Sequence, residues 1–164
     1  MAETAQQYVE RILGNLGTQD PVDVLARGPE ELQRALAKFS KESLRKRPAP
    51  NKWSPAEIAI HLAEVEMVVS VRVRLVVGTN GIAIQGFDQD AWATRYGSAD
   101  LDLSLAAFSA LRQANVAFYR SLTSEEWEHY GMHSERGRET ARRIVELCAG
   151  HDLNHFKQLD AIAR

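Results

Sequence analysis

Apolar residues recur three and four positions apart over four long stretches of this chain, and nowhere do they alternate with polar residues for more than a few positions. That period belongs to amphipathic helices packed by one face, and it predicts no sheet. Even Ile82 to Gln85, IAIQ, is too short for more than a scrap of strand. The clearest start is Ser54-Pro55-Ala56-Glu57, an N-cap, a proline at the first helical position and a glutamate three residues on. A long helix follows, with Ile58, His61, Leu62, Val65, Val68, Val69, Arg72, Leu75 and Val76 inward and Gly78 at its end. Other helices are predicted from Ala2 to Leu16, from about Asp102 to Leu122 and from about Glu139 to Ala163. Between the first two, Asp20-Pro21 starts a short element, and Gly28-Pro29 stops it and starts another through Leu32, Leu36, Phe39 and Leu44. Residues 79–100 read as a structured connection, in which Phe87, Trp92 and Tyr96 form a pocket rim or pack over a bundle end. The expected architecture is all-α: a four-helix bundle with an N-terminal helical leader, in one domain over residues 1–164.

Composition narrows the function. Twenty Lys and Arg against 22 Asp and Glu leave no cationic excess, so nucleic acid is not an expected partner. Lys41, Arg45, Lys46 and Arg47 read as a solvated helix end rather than an anion patch. A single cysteine, Cys148, excludes an internal disulfide framework and suits the cytoplasm. No run of about 18 apolar residues is present, so neither a membrane span nor a secretory leader is expected. Phosphate loops, dinucleotide fingerprints and GxSxG elbows are missing as well.

Five histidines remain to be explained, and three of them fall on inward helical stripes: His61, His151 and His155. His151 and His155 lie one turn apart, which projects both rings from one face. Burying three imidazoles is costly unless each finds a partner. Two explanations satisfy that need. Each ring can be a core histidine with its own hydrogen bond, or all three can share a divalent ion with one position open to a water or thiol. Among competing metal readings, a zinc-protease signature is opposed by Asp152, which stands where a glutamate base belongs. A di-iron bundle lacks its Glu-x-x-His pairs. Cys148, three residues before His151, is a soft ligand or a small apolar filler. Glu64 and Glu57 flank His61 and could orient its ring, with Glu57 better explained as a cap; Arg72 anchors an anionic substrate or forms an interior ion pair. His129 and His133 read as surface residues of a polar turn.

Three stretches carry a resemblance: KWSPAEIAIHLAEVEMVVSVRVR, FDQDAWATRY and GMHSERGRETARRIVELCAGHDLNHFKQL. With W-S-P-x-E-I-x-x-H-L and a late H-x-x-x-H-x-x-Q-L, the chain resembles the DinB-like (YfiT-like) superfamily of metal-dependent hydrolases and thiol transferases. The resemblance implies a four-helix bundle whose metal ligands are His61, His151 and His155, a divalent ion such as zinc or nickel, and frequent homodimers. It further implies a small-molecule substrate, with a low-molecular-weight thiol such as bacillithiol or mycothiol as cosubstrate in members of assigned activity. The expected function is metal-dependent activation of a thiol or water, with S-transfer favoured over hydrolysis of a small amide or ester. A stress-related bundle whose ion is only structural is the third alternative.

Overall fold

In the computed structural model, which describes residues 3–164, every long helix opens on a side-chain cap. Thr4 and Gln7 form a capping box at the start of α1 (Ala5–Leu16); the predicted start at Ala2 lies outside the described residues. Asp20 caps α2 (Pro21–Leu36), and Ser54 with Glu57 forms the expected box on α4 (Pro55–Gly78). Asp100 caps α6 (Leu101–Ser121) and Thr140 caps α8 (Ala141–Ile162). Short helices α3 (Lys41–Arg45), α5 (Gln89–Ala93) and α7 (Ser124–Glu128) fill the connections, with one 3-10 turn at Tyr96–Ser98. Helices α2, α4, α6 and α8 form the bundle: α2 and α4 each pack between α6 and α8, and α1 lies along α8.

The bundle has two apolar layers separated by a polar one. Val24, Leu25, Val69, Val73, Val116, Ile144 and Val145 fill one layer; Leu32, Leu36, Ile58, Leu62, Phe108 and Leu159 fill the other. Between them Arg112 of α6 is completely buried. Its Nη1 donates to Asp152 Oδ2 of α8 at 2.6 Å, and its Nη2 pairs with Glu66 Oε2 of α4 at 2.8 Å. Nη1 also reaches the Leu25 carbonyl of α2 at 3.2 Å.

That last contact corrects one expectation. Gly28-Pro29 does not end a helix, because α2 runs straight through it. Pro29 has no N–H for the Leu25 carbonyl four residues back, and the Arg112 guanidinium supplies the missing donor. Gly28 leaves room for the same group, since a Cβ there would stand 2.5 Å from Arg112 Nη1.

A second correction concerns the sheet. Strand β1 (Ile82–Ile84) pairs in parallel with β2 (Tyr130–His133), which pairs antiparallel with β3 (Gly137–Thr140). Strands of three or four residues are too short to show alternation, so their pairing is set by the bundle they cap. Consequently the last helix begins at Ala141, and Glu139 sits on a strand. Leu75, predicted inward, is half exposed and continues a stripe with Met67 and Val71. No helix among the described residues is long and apolar enough to cross a membrane.

The leader is seated by a glycine. A Cβ on Gly150 of α8 would fall on the Ile12 carbonyl of α1, so the two backbones meet where no side chain fits. Gly150→Ala is expected to destabilise the protein by about 1–3 kcal/mol in urea unfolding. Gly14→Ala, with open space around it, should be neutral or stabilising by up to about 1 kcal/mol. Equal effects of the two substitutions would contradict this packing.

Candidate metal centre

Two helices bring the three predicted histidines to one point. His61 stands in the second turn of α4; His151 and His155 stand one turn apart on α8. His151 Nε2 lies 3.0 Å from His61 Nε2 and 3.1 Å from His155 Nε2. All three ligating atoms lie within 4.8 Å of one another, and all three residues are buried. Trp53 covers the group, its ring centroid 4.7 Å from that of His61 and 6.3 Å from that of His155.

The outward ring nitrogens fix the tautomers of two rings. Tyr96 donates its hydroxyl hydrogen to Glu64 Oε2 at 2.8 Å, so its oxygen is left to accept from His61 Nδ1 at 3.4 Å. Gln158 Oε1 accepts from His155 Nδ1 at 3.0 Å. Assigned from these partners, both rings carry the proton on Nδ1 and turn the Nε2 lone pair inward. His151 Nδ1 is buried without a partner among the described residues.

Lone pairs facing one another across about 3 Å repel unless a proton or a cation lies between them. Nitrogens on a tetrahedral zinc-type ion stand about 3.4 Å apart, so the His61–His151 and His151–His155 separations need a few tenths of an ångström of relaxation, and the His61–His155 pair stands within 4.8 Å. The donor set fits a borderline divalent cation.

Other candidates fall elsewhere. Glu64 reaches His61 only through Tyr96, a relay for which the sequence supplied the members but not the order. Glu57 is spent on its cap and on Arg47, whose Nε donates to Oε2 at 2.9 Å. Arg45 likewise reaches the carbonyls of Gly97 and Ala99. Cys148 is buried beside Glu66, outside the histidine group. Asp152, adjacent to His151, is consumed by Arg112 and is not free to act as a protease base.

A cavity of about 390 Å³ opens beside His151. Arg72 lines it, as does His133, which the sequence reading placed on the surface. His133 is 5% exposed, because β2 places it beside Ile84 and Gly86. The signal that could have located it is the short hairpin, which hydrophobic periodicity does not register. Thr4 and Tyr8 line the cavity too, so the leader forms part of its wall.

Burial pushes all three histidines down, His61 to about 3 and His155 to about 4, with neighbouring charge adding to the effect on His61 and His151. The unfolded chain takes up protons near pH 6.5, where the folded rings do not. The histidine contribution to stability is therefore complete above about pH 6.5 and lost as pH falls towards 4 and then 3. In thermal melts of metal-free protein, Tm should fall over this window, and His61→Leu with His155→Leu should flatten the slope. An unchanged slope in that double variant would contradict the buried, neutral centre.

Comparison with known proteins agrees with this fold. Residues 25–159 match the DinB superfamily. A relative from Bacillus licheniformis is 27% identical over 140 residues, covering 84% of this chain and 80% of its own. YfiT of Bacillus subtilis is 24% identical over 146 residues, covering 87% and 82%. One from Oceanobacillus iheyensis is 21% identical over 137 residues, covering 83% and 80%. All three bear the provisional name of metal-dependent hydrolase. The solved structure of YfiT, described as an unusual four-helix bundle, superposes with a TM-score of 0.77 at 21% identity, over 98% of this chain and 89% of that one. A mycothiol-dependent maleylpyruvate isomerase superposes at 0.71 with 9% identity, over 90% of this chain and 62% of that one. With the match spanning all four bundle helices, the chain belongs to the DinB superfamily.

Proposed function

We propose that this chain is a metal-dependent enzyme that activates a thiol or a water at His61, His151 and His155, with thiol S-transfer as the favoured reaction. The carrying observation is the convergence of the three Nε2 atoms beside an open cavity. Zinc or nickel suits three imidazoles. When bound, such an ion is a Lewis acid that brings the pKa of a coordinated thiol or water towards neutrality.

The chain's own residues hold and shield the centre. Glu64 and Tyr96 keep the His61 proton on Nδ1, and Gln158 does the same for His155. Trp53 excludes water from one side. Val65, Val69, Ile144 and Leu147 give the cavity an apolar wall.

Two observations support a thiol over a water. A water nucleophile benefits from a nearby carboxylate base, but Asp152 is paired with Arg112 and Glu64 is spent on Tyr96. A thiol needs only a lowered pKa. The isomerase that shares this fold also uses a thiol, mycothiol, by name. Hydrolysis of a small amide or ester is the second reading, supported by the names of the relatives. A purely structural ion in a stress-related bundle is the third; the cavity beside His151 speaks for catalysis.

We also place the chain in the cytoplasm, which suits its single free, buried cysteine. A homodimer has a candidate face in the exposed Met67, Val71 and Leu75 beside the open edge of β1.

Elemental analysis of protein purified without an affinity tag should find about one divalent metal per chain, lost in His151→Ala. With a small thiol and an alkylating electrophile, His151→Ala should abolish conjugation, and Tyr96→Phe should lower kcat/KM by about 10-fold or more. Conjugation at full rate in metal-free protein would overturn the proposal.

A further inference from the structure

The cavity beside His151 is lined by both apolar and polar side chains, and the polar ones are not all spent. Glu3 is held by Arg11 at 2.7 and 2.9 Å. Arg136 grips both oxygens of Glu139 at 2.6 and 3.0 Å. Glu135 is exposed, so solvent screens its charge. Arg72 differs from all of these. It is half-buried, its guanidinium donates to the Gln85 carbonyl at 3.0 Å, and among the described residues no carboxylate lies within 4.0 Å of it.

A second donor lies on the same wall. His133 Nδ1 accepts from the Glu135 amide at 3.1 Å, which puts the ring proton on Nε2. That N–H has no protein acceptor among the described residues and stays reachable by solvent, in a residue that is 5% exposed. A half-buried cation with no carboxylate in contact and an imidazole N–H without a protein acceptor line one cavity, where both can donate to an anionic ligand.

We propose that the substrate is an apolar small molecule bearing a carboxylate, which Arg72 and the His133 Nε2–H hold in the cavity beside the histidine centre. The assignment rests on the reading of that centre as the place of reaction. A carboxylate matches a planar guanidinium through two parallel hydrogen bonds, and a neutral imidazole N–H adds a third donor without adding charge. A phosphate dianion would call for a further cation, and Arg136 is already neutralised by Glu139. Val65, Val69, Phe87, Ile144 and Leu147 then take up the hydrocarbon between the carboxylate and the reacting atom.

The test compares hexanoate with hexanamide, which share a tail and differ in charge, by amide NMR titration of the full chain. It is run on zinc-loaded and on metal-stripped protein. Hexanoate should bind at least about tenfold more tightly in both, the size expected of hydrogen bonds to a charged group. Arg72→Gln should bring the two ligands within about twofold, Arg72→Lys should retain part of the preference, and His133→Ala should weaken hexanoate severalfold. Equal affinities in the unaltered protein would overturn the proposal, as would a preference that survives Arg72→Gln, or inorganic phosphate binding more tightly than hexanoate. Failure of the chain to take up zinc would instead overturn the metal centre, while the acid preference of the stripped protein would still stand or fall by itself.

Discussion

A single buried guanidinium touches all four helices of the bundle. Arg112 projects from α6, pairs with Glu66 on α4 and Asp152 on α8, and donates to the Leu25 carbonyl on α2. Two carboxylates face its one guanidinium, and Asn115 donates to Glu66 Oε1 at 2.7 Å. A charge this deep is costly unless its partners are in place, and removal of one member of such a group typically costs about 3–5 kcal/mol. The polar layer is thus a weak source of net stability and a strong constraint on arrangement. Helices α4 and α8 can each rotate only as far as Glu66 and Asp152 allow.

That constraint is what positions the histidines. His61 lies five residues before Glu66, and His151 is adjacent to Asp152. Holding the two carboxylates against Arg112 fixes the azimuth of both helices and aims the three Nε2 atoms at one point. The same pairing removes Asp152 from the site, so the carboxylate nearest the centre in sequence takes no part in proton transfer there. Behind the rings, Tyr96 and Gln158 hold the outward nitrogens of His61 and His155, which is how a structure built on apolar packing tolerates two of its three neutral imidazoles.

Much of this was legible in the sequence, and what was not has identifiable causes. The caps at Asp20 and Ser54, the stripe on α4 and the His151–His155 spacing act within one or two turns, so local rules reach them. Gly28-Pro29 misled because its broken helical hydrogen bond is completed by a side chain from residue 112, far along the chain. The sheet, and with it the burial of His133, depends on pairing between residues 82–84 and 131–133, which short strands do not announce. Leu75 shares its turn with Val76, but α4 turns Val73 and Val76 into the core and leaves Leu75 on the outer face with Met67 and Val71. Membership of the DinB superfamily lay in the histidine motifs themselves, while the Tyr96–Glu64 relay emerged only when a loop folded back onto α4.

In the proposed centre three imidazole nitrogens, and no sulfur, surround a cation while one coordination position stays open. X-ray absorption spectroscopy of the zinc-loaded protein reads this directly. Three imidazole nitrogens and one light, exchangeable atom are expected at about 2.0–2.1 Å. A sulfur shell at about 2.3 Å, or a shell with fewer than three imidazoles, would contradict it.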